Sequence, residues 1–181
     1  IDRFDVMVDH LILDNCRSDF VIETISSTLT ETVNEAYLLQ LLMNADNVQE
    51  AIDEKLKNAI RNTVLRKRHS QKLQFALKLF EHIEYSTKKL QVQPGNGNIV
   101  ANAQKTTVNV PQSVCGYADW LYARRNAVVH GAGSSRFLEN DKAQLKKLYE
   151  YKCPDTFKLK IGAISSSIKF YGCIVEIIRG G

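Results

Sequence analysis

Along almost the whole chain, apolar residues return every three or four positions, and this spacing limits the fold more than any other feature of the sequence. "RFDVMVDHLILDN" sets Phe4, Met7, Val8, Leu11 and Ile12 on one helical face. A longer amphipathic segment is expected from about Asp19 to Met43, broken at Asn44-Ala45-Asp46-Asn47. Asn47 can then cap a new helix, with Glu50 three residues on as its reciprocal partner. Leu56, Ile60 and Val64 form the buried stripe of that helix. Leu73, Leu77, Phe80 and Ile83 continue it past a basic run, which either bends the helix or lies exposed upon it. "ENDKAQLKKLYEY" reads as a short, mostly exposed helix. Pro154 and Asp155 are expected to start the last one, where Ile161, Ile164, Ile168, Tyr171, Val175 and Ile178 keep the three-four spacing.

The period is lost in "QVQPGNGNIVANAQKTTVNVPQ", which holds two of the three prolines of the chain. This stretch, about residues 91–111, reads as a long loop, with a short β-hairpin expected in "NIVANAQKTTVNV". Loops of this length inside compact domains are often functional. The fold class expected is therefore all-α: one helical bundle over residues 1–181 with a single long insertion. An apolar content of 44% is enough to fill its core.

No apolar run is seen to approach the roughly 18 residues of a membrane span, and no basic-then-apolar leader opens the chain. A soluble, cytoplasmic domain with no membrane partner is the expectation. Cys16, Cys115, Cys153 and Cys173 are far apart, with no C-x2-C pair and no histidine at a zinc-ligand spacing. They read as buried free thiols, and no metal or other cofactor is expected. The net charge of +4 is unevenly spread: residues 1–54 carry −10, residues 55–80 carry +8 and the remainder +6. Such an asymmetry points to partners. Arg66, Lys67, Arg68 and Lys72 in "NTVLRKRHSQK" form either a solvated helix face or a strip that meets phosphates.

The stretch that breaks the amphipathic pattern is "YADWLYARRNAVVHGAG", residues 117–133. At about 100° per residue, Val114, Ala118, Leu121, Val128 and Val129 share a stripe, and Arg125 falls in the middle of it. Asp119, Asn126 and His130 run along its border, and Gly131 and Gly133 can end the helix with a left-handed cap. Desolvating a guanidinium costs several kcal/mol unless partners are supplied. An apolar face around an arginine is explained if that face meets a second copy of the chain, with the polar row lining a cleft at the seam.

"RNAVVHG" resembles the Arg-Asn-x-x-x-His signature of HEPN domains, helical nucleic-acid-cleaving modules of prokaryotic toxin–antitoxin and antiviral systems. The helix plan, the position of the motif in a late helix and the glycine after the histidine fit the same family. The resemblance implies a HEPN-like bundle and a metal-independent endoribonuclease acting as a homodimer. Arg125, Asn126 and His130 of both protomers would form one composite site. The RNA 2′-hydroxyl would attack its own phosphate, with His130 as general acid or base, Arg125 holding the developing charge, and Asn126 orienting the histidine or a phosphate oxygen. Arg124 points to another side of the helix and would meet a backbone phosphate or remain a surface charge. An antitoxin or other defence-system protein is an implied partner. Control by a nucleotidyltransferase is not, because the tyrosine that usually stands two residues after the histidine is Ala132 here. The alternative is a HEPN-like bundle that does not cleave and serves as a dimerisation or nucleic-acid-binding module of a larger assembly.

Overall fold

The computed structural model describes residues 1–32, 35–44, 47–80, 90–104, 109–131 and 133–180. Four earlier expectations fall outside these residues: Ala45 and Asp46 of the expected helix break, Ile83 of the expected stripe, residues 105–108 of the expected hairpin, and Ala132. The described residues are mostly helical, with eight helices and one two-stranded sheet, and they divide into two compact units, Asp2–Arg68 and His69–Gly181.

The first unit contains α1 (Asp2–Asp14), α2 (Asp19–Thr32), α3 (Glu35–Asn44) and α4 (Val48–Thr63). The amphipathic segment expected from about Asp19 to Met43 is helical throughout its described residues, as α2 and α3, and residues 33 and 34 between them lie outside the described residues. Helix α4 is the common partner of the other three. Its start follows the sequence reading: the side chain of Asn47 accepts a hydrogen bond from the Glu50 backbone N–H at 3.2 Å. Phe4, Val8 and Ile12 of α1 are buried, as are Val21 and Ile25 of α2 and Leu56 and Ile60 of α4. A two-pronged pair joins the loop after α1 to α4, with the Arg17 Nε and Nη2 each donating to Asp53 at 2.7 Å.

The basic run interrupts the helix instead of lying along it. Helix α4 ends at Thr63, and α5 (His69–Leu79) begins the second unit. There, α6 (Val114–His130) packs against α5, α7 (Glu139–Tyr149) and β1 (Gln91–Val92). Ser113 caps α6 by accepting from the Gly116 N–H at 3.1 Å. At the other end, Gly133 supplies the left-handed residue at φ 78°, while Gly131, at φ −93°, does not.

The hairpin lies earlier than its expected place. Strand β1 pairs antiparallel with β2 (Ile99–Val100), Gln91 opposite Val100 and Val92 opposite Ile99. The turn between them contains Gly95 and Gly97 at positive φ. The Oγ of Ser166 on α8 (Ile161–Ile178) donates to the Gly95 carbonyl at 2.7 Å, and a Cβ on Gly97 would run into the Ser166 carbonyl.

Helix α8 begins at Ile161, not at Pro154 and Asp155. The segment before it is held extended because the Phe157 N–H donates to the Ser135 carbonyl at 2.8 Å and its ring lies 4.8 Å from that of Phe137. Both rings are buried. Phe170 and Ile174 anchor α8 in the core, and Ile161, Ile164 and Ile168 stand exposed on its other side. By length and composition alone, the 18 residues of α8, with mean hydropathy 1.5, suffice to cross a membrane. This corrects the reading that no run of that kind is present. All four cysteines are free; Cys16 and Cys115 are buried as expected, whereas Cys153 and Cys173 are half-buried.

Candidate functional site

Helix α6 carries the three motif residues, and its last turn brings them together. Arg125 and His130 are five residues apart, so the arginine can reach down to the imidazole at the helix end. One guanidinium nitrogen, Nη1, donates to the Asn126 Oδ1 at 3.2 Å and lies 3.2 Å from the His130 Nε2. A guanidinium can only donate, so a hydrogen bond here calls on the Nε2 lone pair, which is the tautomer with the ring proton on Nδ1. The imidazole is exposed, while Arg125 and Asn126 are half-buried.

The support for this cluster comes from neighbours that helical spacing alone could not single out. The Arg125 guanidinium lies 5.8 Å from the Tyr122 ring centre. Tyr122 in turn stacks on the buried His69 at 5.0 Å, and the His69 Nε2 is 3.0 Å from the Tyr171 hydroxyl of α8. Asn126 donates its Nδ2 to the Asp141 Oδ2 of α7 at 3.4 Å. Asn126 is thus held between the Arg125 guanidinium and the Asp141 carboxyl. Asp141 is pushed above the usual carboxylate range, first by burial and then by the charge of Asp119. The Asn126 hydrogen bond and His130 pull the other way.

Asp119, third member of the polar row, has a different task. It accepts from the Ser70 N–H at 3.1 Å, the Ser70 Oγ at 2.8 Å and the Tyr149 hydroxyl at 2.7 Å. Ser70 is the second residue of α5, so the carboxylate caps the first turn of that helix from outside. Burial, first of all, pushes the Tyr149 hydroxyl well above the ordinary phenol range.

The apolar stripe of α6 is a correction to the sequence reading. Val114, Ala118 and Leu121 are buried within the chain itself, covered by its own helices, and so do not await a second copy. What remains outward is Val129, 53% exposed. An apolar groove of about 260 Å³ runs beside Arg125, walled by Val128, Val129, Leu159, Ala163 and Ile164.

Arg124 turns away from the cluster, as its place on the helix requires. Its guanidinium sits 4.6 Å from the Trp120 ring and 4.7 Å from that of Phe157, and Nη2 donates to the Lys158 carbonyl at 2.9 Å. It is thus partly committed to the protein's own packing. Of the basic run, Arg66 and Lys67 are exposed, Arg68 is half-buried and Lys72 is buried in α5. Among the described residues, no group of three or more His, Cys, Asp or Glu side chains could hold a metal ion. No family model, no curated protein and no solved structure matches the chain.

Proposed function

We propose that the chain is a HEPN-like endoribonuclease that acts in the cytoplasm on RNA, through Arg125, Asn126 and His130. One observation carries the reading: a single guanidinium nitrogen lies 3.2 Å from both the asparagine oxygen and the histidine Nε2. These contacts hold the guanidinium and the imidazole side by side, close enough to meet one phosphodiester together. The 2′-hydroxyl attacks the adjacent phosphorus and the P–O5′ bond breaks, leaving a 2′,3′-cyclic phosphate and a 5′-hydroxyl. The imidazole moves a proton at the attacking or the leaving oxygen. Arg125 offers a planar, forked donor to the phosphoryl oxygens as their charge builds. Arg66 and Lys67, the exposed members of the basic run, meet backbone phosphates.

The partner protomer belongs to the same proposal. One histidine serves one oxygen, and a second copy would serve the other. The apolar groove beside Arg125 and the exposed Val129, Leu159 and Ile164 offer a self-complementary seam next to the cluster. The test is incubation of purified wild-type and His130→Ala protein with a labelled RNA pool in excess EDTA. Cleavage by the wild type alone, with cyclic-phosphate ends, is expected. Strict magnesium dependence, or products with 3′-hydroxyl ends, would sink the mechanism.

A further inference from the structure

Adjoining the groove beside Arg125, and sharing Arg124 and Ala163 with it, the second unit holds a cavity of about 430 Å³, within the size range of small-molecule sites. Tyr117, Trp120, Phe137, Tyr151 and Phe157 give it an aromatic wall. Among the described residues, its charged lining residues are Arg124, Lys158 and Lys160, with no Asp or Glu. The two lysines are exposed, whereas Arg124 is half-buried.

Two features of this cavity are unexplained by the fold alone. Arg124 has no carboxylate partner among the described residues; its contacts are two ring faces and one backbone carbonyl. Burial is the first cause lowering its basicity from the ordinary value. A half-buried cation of this kind is normally matched by an anion. The second feature is Trp120, 8% exposed, whose indole Nε1 is buried with no hydrogen-bond partner among the described residues. It lies near enough to the Tyr151 hydroxyl to lower the pKa of that group, but without the distance and angle of a hydrogen bond. The Tyr151 hydroxyl itself donates to the Asn109 carbonyl at 3.2 Å. Buried indole donors usually find an acceptor.

We propose that this cavity is a nucleotide-binding pocket, in which the aromatic wall takes a base and Arg124, with Lys158 and Lys160 at the rim, takes its phosphate. Aromatic faces and guanidinium planes are the surfaces on which unstacked bases rest. Arginine retains most of its five donors after one goes to the Lys158 carbonyl, enough for a forked phosphate contact. The ligand chemistry is a base joined to a phosphate, supplied either by a free mononucleotide or by one unit of a single strand. Nothing in this inference requires that RNA be cut.

Trp120 is the single tryptophan of the chain and part of the cavity wall, so its fluorescence reads occupancy directly. The full chain is titrated with the four nucleoside monophosphates, with a 5′-phosphorylated 2′-O-methyl tetranucleotide that cannot be cleaved, and with nucleosides and inorganic phosphate separately. Heat of binding is recorded in parallel. Saturable quenching by a monophosphate identifies a free nucleotide as the ligand, and quenching by the tetranucleotide alone identifies a strand; either supports the pocket. Nucleoside or phosphate alone should bind at least about tenfold more weakly. Replacing both rim lysines, Lys158→Glu with Lys160→Glu, should weaken binding by about tenfold or more with helix content unchanged, because both side chains are exposed. Arg124→Gln should weaken it further. The proposal is overturned if no probe gives quenching or heat, if phosphate alone equals the nucleotide, or if the double lysine variant binds as tightly as the wild type.

Discussion

At the residue scale, Arg125 is the pivot of the motif, because one of its nitrogens serves both Asn126 and His130. Lysine carries the same charge without the planar fork, so Arg125→Lys should lose cleavage almost as fully as Arg125→Ala, by ~10²-fold or more, in a single-turnover assay. His130→Ala should cost ~10²–10⁴-fold, the usual range for a general acid or base. Full activity in either variant, with its fold intact by circular dichroism, would remove the residue from the mechanism. Asp141 allows a test through pH. Its pKa is raised in the folded chain, chiefly by burial. Stability from such a group is present below the unfolded pKa and is lost as pH rises through the folded one. Ionised Asp141 is therefore unfavourable at neutral pH, and Asp141→Asn keeps an oxygen for Asn126 without the charge. Thermal melts should show Asp141→Asn more stable by about 1–3 °C near neutrality, a gain that disappears towards about pH 3–4. A gain that grows on acidification would contradict this.

At the scale of elements, tertiary contacts decided what local spacing could not. The Asn47 cap and the buried stripes of α1 and α4 were legible because capping and amphipathicity depend on neighbours in sequence. The start of α8 was not, because Phe157 is pinned to the Ser135 carbonyl and to Phe137, both distant in sequence. The hairpin was misplaced for a related reason: its Pro-Gly turn docks on Ser166, 71 residues from Gly95. Two substitutions measure such contacts. Asp119→Ala removes the outside cap of α5 and the acceptor of the Tyr149 hydroxyl, and should cost about 1–3 kcal/mol. Urea unfolding followed by Trp120 fluorescence would show it, and an unchanged midpoint would refute the capping role. Gly97→Ala should destabilise by more than ~1 kcal/mol, since it meets both a positive φ and the Ser166 carbonyl. Gly95→Ala, strained at φ 99° but facing open space, should cost less.

For the whole molecule, the motif's three residues could be picked from the sequence, but the surface around them could not. Val114, Ala118 and Leu121 share a stripe by helical spacing, yet spacing cannot say whether a stripe is covered by the chain's own helices. Since it is, Leu121→Glu would unfold the second unit instead of testing association. The informative variants are Val129→Glu and Ile164→Glu on exposed positions beside the groove. Either should turn a dimer into a monomer in light scattering at micromolar protein, and cleavage should fall with it while helix content holds. A wild-type chain that is monomeric at this concentration and still cleaves would refute the composite site.

The contact between the Arg125 Nη1 and the His130 Nε2 has a consequence for the resting protein. The lone pair that would accept a proton is already engaged by the same group that would grip the phosphate. An arriving anion competes for the guanidinium, and by drawing it away it sets the imidazole free. On the proposed reading, the site is latched when empty and unlocked by a bound phosphodiester, so a resting pool of the protein would leave stray hydroxyl groups untouched until one is seated.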